Sequence, residues 1–332
     1  MPKAIAGVDS TGNPCHAAVN AWGAALALTG VGRIGIAYSG GADSTALLLA
    51  AHVCWPDRID ALHVNHGMQA SAASFEQHCR VFCAARSIPL HVAQLQLRPG
   101  PGESPEDVAR VARYAALADM SRRHRLAHVA LAHHADDQIE TLLLALSRGA
   151  GLRGLSAMPA RFERDAVVFY RPLLALKAAA LRAWLEQASV PFVIDPSNAD
   201  ESLTRNRIRH RLLPALEQAF PAFRQTMARS AGHAAQAQML LEQLAQTDAL
   251  VTGLPPVIKA LQALSPERQA NMLRYWLEHH HQAIPSAAQL AELMKQVSAC
   301  KTRGHRIQIK IANGHVLRDG RMLRFCEQTA TV

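Results

Sequence analysis

"IAYSGGADSTALLLA" occupies residues 36–50. An apolar run of β character passes through a serine and two glycines straight into an apolar run of helical character. Gly40 and Gly41 open backbone conformations closed to other residues and let a ligand approach the main chain. The helix starts near Asp43 or Ser44, and its free N–H groups and dipole suit phosphate oxygens. Ser39 and Ser44 add hydroxyls. Asp43 has the same sign as a phosphate, so it is expected either to meet a magnesium ion or to cap the helix. The stretch is not a P-loop, because no Gly-Lys-Ser/Thr follows, and it is not G-x-G-x-x-G. A glycine turn serving packing alone is the rival reading. Ser-Gly-Gly-x-Asp-Ser between a strand and a helix favours the anion.

Outward from this junction the chain alternates. "RIGIAYS" precedes it as a strand, and "TALLLAAHVCW" is the helix after it. "IDALHVNHG" reads as a strand turning at Gly67, "SFEQHCRVFCAARS" as an amphipathic helix and "LHVAQLQL" as a strand. A helix over 104–124 opens with Ser104 as N-cap, then Pro105, then acids that match its dipole. "AHVALAHH" is a further strand and "DDQIETLLLALSRG" a further helix. Alternation over 33–149 predicts a doubly wound parallel α/β sheet with helices on both faces, of Rossmann-like type. Ligands bind such sheets beyond the carboxyl ends of the strands. "SGGADS", "HVNHG" and "AHHADDQ" all fall there.

With 332 residues, two domains are expected. The boundary is placed near 216. Residues 1–216 form the catalytic domain, with 33–149 as core sheet and 150–216 as helical extension. Residues 217–332 are mainly helical and end in a small hairpin that turns at Asn313-Gly314. No apolar stretch reaches the roughly 18–20 residues of a membrane span, so no membrane partner and a cytoplasmic location are expected. The six cysteines form no C-x-x-C pair and read as small core residues of a reducing compartment. A net charge of +9, carried mostly by arginine, favours a polyanionic partner such as nucleic acid.

The second informative stretch is "LAHHADDQIETLLLALSRGAGLRGLSAMP" at 131–159. His133, Asp136, Asp137 and Glu140 crowd a strand end and a first helical turn, more charge than capping needs. They suit magnesium, an ammonium group or a proton in transit. A metal hydrolase is the rival, but no further His/Asp set completes it. "TRNRIRHR" supplies Arg205, Arg207 and Arg209, either a solvated basic face or a phosphate contact.

"SGGADS" resembles the PP-loop of the ATP pyrophosphatases. The 131–159 stretch is similar to that of the tRNA(Ile)-lysidine synthetases. So, in the right order, are "HVNHGMQ", "EDVARVARYAAL", "RPLLALK" and "DPSNADESLTRNRIRHRLLPAL". The resemblance runs through about 33–217 and is weaker beyond. It implies that ATP adenylates carbon 2 of the wobble cytidine in a tRNA(Ile) with a CAU anticodon, and that free L-lysine then displaces AMP. On this reading Ser39, Gly40, Gly41, Ala42, Asp43 and Ser44 hold ATP, with Arg205 assisting. Asp43 and Asp136 or Asp137 hold magnesium, while Asp137 and Glu140 receive lysine. His133 and Arg113 serve the phosphates or proton transfer, and Arg205, Arg207 and Arg209 meet tRNA. The resemblance suggests a homodimer and a short form without a second C-terminal domain. A tRNA thiolase of the same superfamily and a non-catalytic RNA-binding relative are the alternatives. The missing cysteine pair speaks against the first, and the intact charged motifs against the second.

Overall fold

The computed structural model describes the chain except residues 1–11, 28–31, 68–71, 98–99, 101–104, 303 and 328–332. The expected N-cap Ser104 lies outside the described residues. Two compact units are present, Met1–Gly232 and His233–Val332.

The first unit runs α1 (Cys15–Ala27), β1 (Arg33–Ala37), α2 (Ala42–Cys54), β2 (Ile59–Asn65), α3 (Ala72–Ala84), β3 (Leu90–Gln94), α4 (Pro105–Arg123), β4 (Leu126–Ala130) and α5 (Ala135–Ser147). A short α6 (Leu152–Leu155) follows, then β5 (Arg161–Arg164), β6 (Val167–Tyr170) and α7 (Ala178–Gln187). A continuous helical stretch comes next: α8 (Thr204–Arg207), a π-helical turn at Ile208–Leu212 and α9 (Leu213–Ala219). The unit ends within α10 (Phe223–Thr252).

The six strands order β3-β2-β1-β4-β6-β5, all parallel except β5. The chain moves outward one way from β1 through β3, then restarts on the other side at β4. The crevice between the carboxyl ends of β1 and β4 is therefore the switch point where such sheets take ligands. Strand residues alternate between two cores, as period 2 requires. Ile34, Ile36, Ile59, Ala61 and Ala130 face α1, α2, α3 and α7. Leu62, Val129 and Phe169 face α4 through Tyr114, Leu117 and Ala118. Helix α2 buries Leu47, Leu48 and Leu49 in succession, which fits a helix covered all round.

The sheet extends past residue 149 into the expected helical extension. β5 and β6 are four residues each and join through Asp165 and Ala166, both at positive φ (51° and 59°). Such a turn usually announces itself with Asn-Gly or Asp-Gly. Asp-Ala carries no such signal, so the hairpin is hidden in the sequence.

The second unit holds the remainder of α10, α11 (Ile258–Gln262), α12 (Pro266–His281), α13 (Ala287–Ala299) and an antiparallel sheet of β7 (Gln308–Ile311), β8 (Gly314–Asp319) and β9 (Met322–Glu327). Its core gathers Leu261, Met272, Leu273, Trp276, Leu277 and Leu293 with Val316 and Leu323. The hairpin turns one residue earlier than expected. Ile311 pairs with Gly314, so Ala312 and Asn313 form the loop and Ala312 takes the positive φ of 49°. Gly314 serves packing instead. A Cβ there would lie 2.5 Å from Phe325 Cζ and 2.6 Å from the Cys326 carbonyl oxygen. That carbonyl cannot retreat without loosening β8 from β9. Gly314→Ala is expected to cost this unit about 1–3 kcal/mol, measured by urea denaturation with Trp276 fluorescence. An unchanged midpoint would refute the packing role.

Candidate active site

Gly40 takes φ +85°, and a Cβ on it would press Cys79 Sγ at 3.1 Å. The anion loop is therefore glycine for both conformation and space. Gly41 is the N-cap of α2, with no side-chain cap bond. The Ser39 hydroxyl accepts from the Gly41 N–H at 3.3 Å and lies 3.0 Å from the Ser44 hydroxyl. Ser44 Oγ in turn donates to the Gly41 carbonyl at 3.0 Å. These bonds hold the loop open as a cradle whose donors an anion would take over. The Val193 N–H donates to the Gly40 carbonyl at 2.8 Å, so the segment after α7 braces the loop from behind.

A cavity of about 480 Å³ opens beside this loop. Its walls include Ser39, Gly41, Asp43 and Ser44 from the first motif, His63 and Asn65 at the end of β2 with His66 just after it, Arg113 and Tyr114 on α4, and His133 after β4. The three polar clusters that the sequence placed at strand ends thus meet in one space. Some of them are structural. His63 is buried and its Nδ1 donates to the Tyr38 carbonyl at 2.9 Å, fixing the end of β2 to β1. Burial lowers its pKa and keeps it neutral. His66 also lines the cavity, and its Nδ1 is buried without a partner there.

The centre of the second motif is His134, a residue that sequence reasoning passed over for His133. Its ring caps α5 by accepting the Asp137 N–H on Nδ1 at 3.3 Å, while Asp137 accepts the His134 N–H at 3.0 Å. With Nδ1 an acceptor, the ring proton sits on Nε2. That atom lies 3.6 Å from Asp43 Oδ2 and 3.4 Å from Asp137 Oδ2. Burial works against a charged ring, but the Asp43 bond and the surrounding carboxylates prevail and raise its pKa. The signal was present in the sequence as the second histidine of a His-His pair, at the residue before the helix.

His133 behaves oppositely. Burial, with Arg171 and Arg113 nearby, depresses its pKa far below the usual histidine range. Its Nδ1 accepts from Arg171 Nε at 3.2 Å, so a neutral ring carries its proton on Nε2 as a donor. Arg171, from "RPLLALK", is buried and also bonds the Pro159 carbonyl and the Tyr114 hydroxyl. Arg113 lines the cavity with its guanidinium 5.9 Å from the Tyr114 ring. Replacing Arg171 with methionine is expected to free His133 Nδ1 and raise that histidine's pKa toward its ordinary value. Histidine NMR titration measures this, and an unmoved resonance would count against the contact.

The carboxylates divide. Asp136 is engaged on both oxygens, by Arg224 Nε at 2.6 Å and by the Ala178 N–H at 3.0 Å. Glu140 is fully buried and accepts two bonds from Arg209, Nε to Oε1 at 2.8 Å and Nη2 to Oε2 at 3.2 Å. Arg205 lies 3.8 Å from the same carboxylate and bonds Glu106 at 2.9 Å. Arg207 points elsewhere, donating to the Glu201 and Ser202 carbonyls. Among the described residues no cluster of three or more His, Cys, Asp or Glu forms a metal cage. Burial pushes the Cys79 and Cys83 thiols up to about 12, so neither offers a thiolate.

The PP-loop domain family matches residues 18–216, and the TilS substrate binding domain matches residues 257–322. A tRNA(Ile)-lysidine synthase of Polaromonas naphthalenivorans is 56% identical, over 96% of this chain and 97% of that protein. The chain belongs to the tRNA(Ile)-lysidine synthase family. Relatives of the same name from Burkholderia pseudomallei and Bordetella pertussis are 43% and 38% identical. This chain spans 56% of the Burkholderia protein's length and 88% of the Bordetella protein's. Among solved structures, a U34-tRNA thiolase from Methanococcus maripaludis, described with its [4Fe-4S] cluster, aligns with a TM-score of 0.53 at 18% identity. It covers 61% of this chain and 71% of that one, a likeness of fold alone.

The family's second domain lies in the second unit. Of the cations there, Arg268 is paired with Asp248, and Arg318 donates to the Thr302 and His305 carbonyls. Arg306 and Lys310 are exposed, and Arg303 is outside the described residues. No helix among the described residues is long and apolar enough to cross a membrane.

Proposed function

We propose that the protein joins lysine to carbon 2 of the wobble cytidine of a tRNA(Ile) with a CAU anticodon, using ATP and releasing pyrophosphate and AMP. The observation that carries this reading is the meeting of the Ser39–Ser44 cradle with Arg113 and His133 in one cavity at the sheet switch point, with Asp43 and Asp137 both approaching His134 Nε2, inside a chain of this family. The cytidine O2 attacks the α-phosphorus and pyrophosphate leaves. The lysine ε-nitrogen then attacks carbon 2, and the carbon–oxygen bond breaks with AMP as leaving group.

The loop amides and the Ser39 and Ser44 hydroxyls bind the departing pyrophosphate. His133 Nε2–H and Arg113 donate to phosphate oxygens as charge builds. Asp137 and Glu140 receive the lysine ammonium and take its proton before attack. Asp43 and Asp137 approach the same edge of His134 and offer hard oxygen donors that fit magnesium. The ion, when bound, would offset pyrophosphate charge. Asp136 is tied to Arg224 and is assigned to the scaffold. Arg205 and the exposed Arg207 would meet RNA or ATP phosphates, giving affinity rather than sequence choice. The work is assigned to the cytoplasm, where tRNA and ATP are.

Radiolabelled lysine, ATP, magnesium and unmodified tRNA(Ile) transcript incubated with the protein should give ATP-dependent transfer of label to tRNA. No transfer would overturn the proposal.

A further inference from the structure

Glu140 has no exposed surface, and Asp137 stands three residues before it on α5, so both meet the same guanidinium. Arg209 grips Glu140 with two bonds at 2.8 and 3.2 Å, and its Nη2 lies 3.6 Å from Asp137 Oδ1. Arg209 thus touches both members of the acidic pair, with Arg205 3.8 Å from Glu140, as burial of like charges demands. Resting on the ligase reading above, this pair is where the substrate ammonium must sit. A further cation cannot enter while Arg209 and Arg205 remain, because three positive groups would then face two carboxylates.

We propose that Arg209 is a built-in stand-in for the lysine ammonium, which occupies the amine subsite until a polyanionic substrate draws it away. Three features support the exchange. The side chain of Arg209 is 35% exposed, so it has a route outward from a carboxylate that has none. It is carried on the π-helical turn Ile208–Leu212, a register found frequently at functional sites. Its neighbour Arg207 is exposed and donates to carbonyls and the Thr204 hydroxyl, so its charge would attract ATP or tRNA phosphates, whereas Arg205 and Arg211 are paired with Glu106 and Glu201. Binding of the anion and binding of lysine then strengthen each other by the same factor, as linkage requires. The amine subsite stays closed until there is something to aminate.

The test is equilibrium dialysis of radiolabelled L-lysine against the full chain, alone and with a non-hydrolysable ATP analogue plus tRNA(Ile) transcript. Wild-type protein should bind lysine about tenfold more tightly in the second state. Arg209→Gln should tighten binding to the free protein by a similar factor and erase the difference. Arg209→Lys, which keeps a cation in place, should behave as wild type. Thermal melting of each variant reports whether it folds. Equal wild-type affinities in the two states overturn the proposal without any variant. So does a folded Arg209→Gln protein that binds lysine no better than wild type. Wild-type transfer of lysine to tRNA is measured in parallel. Its absence would sink the ligase reading itself, whereas transfer with unchanged Arg209→Gln binding would sink only the stand-in.

Discussion

Replacing Asp43 with asparagine is expected to cut ATP-dependent AMP release by at least ~10²-fold while leaving tRNA retention on a filter unchanged. The sequence offered two reasons for an acid in this loop, a metal or a cap. The fold gives α2 a glycine N-cap with no side-chain cap bond, so the helix does not depend on Asp43 for capping. The Asp43 side chain is 38% exposed and its Oδ2 lies 3.6 Å from His134 Nε2, on the edge that Asp137 also approaches. Asparagine keeps the shape and can still accept from His134, but it removes the charge that magnesium would need. The scaffold should survive and the chemistry should not. Equal loss of AMP release and tRNA binding would instead mean that this carboxylate holds the loop together.

The fold was legible because its signals are local and periodic. The strand–glycine–helix junction at 36–50 and the alternation over 33–149 specify the parallel sheet, and the structure has it. β5 and β6 escaped because four-residue strands give period 2 almost no room, and their Asp165-Ala166 turn lacks the glycine that usually marks it. Asn313-Gly314 misled by one position for the converse reason. Gly314 is excluded from the turn and is demanded by the Phe325 ring lying against it. At the site, residue types were readable and partners were not. Nothing local says that Asp136 reaches Arg224, eighty-eight positions away, or that Arg209 reaches Glu140 across sixty-nine. His134 hid because a capping histidine looks like any other polar residue before a helix. Its reach to Asp43 depends on β1 and β4 lying side by side.

Asp136 and Arg224 supply the second large effect, this time on stability. Their side chains are 10% and 15% exposed, and Arg224 also pairs with Glu217. Arg224→Met would leave Asp136 a nearly buried charge supported by the Ala178 N–H and, at 3.8 Å, the His134 ring. The expected loss is about 3 kcal/mol at pH 7, read by urea denaturation from the fluorescence of Trp22, Trp55 and Trp184 in the same unit. Burial raises the Asp136 carboxyl, but the Ala178 bond and Arg224 outweigh it and hold its pKa below the ordinary value. A group depressed in this way stabilises fully above its unfolded pKa, near 3.9, and loses that contribution as pH falls through the lower folded pKa. The gap between wild type and Arg224→Met should therefore be widest at neutral pH and close in acid. Asp136→Asn separates scaffold from chemistry. If Asp136 holds α5 against α10, asparagine lowers stability and leaves the magnesium concentration for half-maximal activity where it was. If Asp136 is a metal ligand, that concentration rises sharply while stability changes little. The two bonds on its oxygens make the first outcome the expected one.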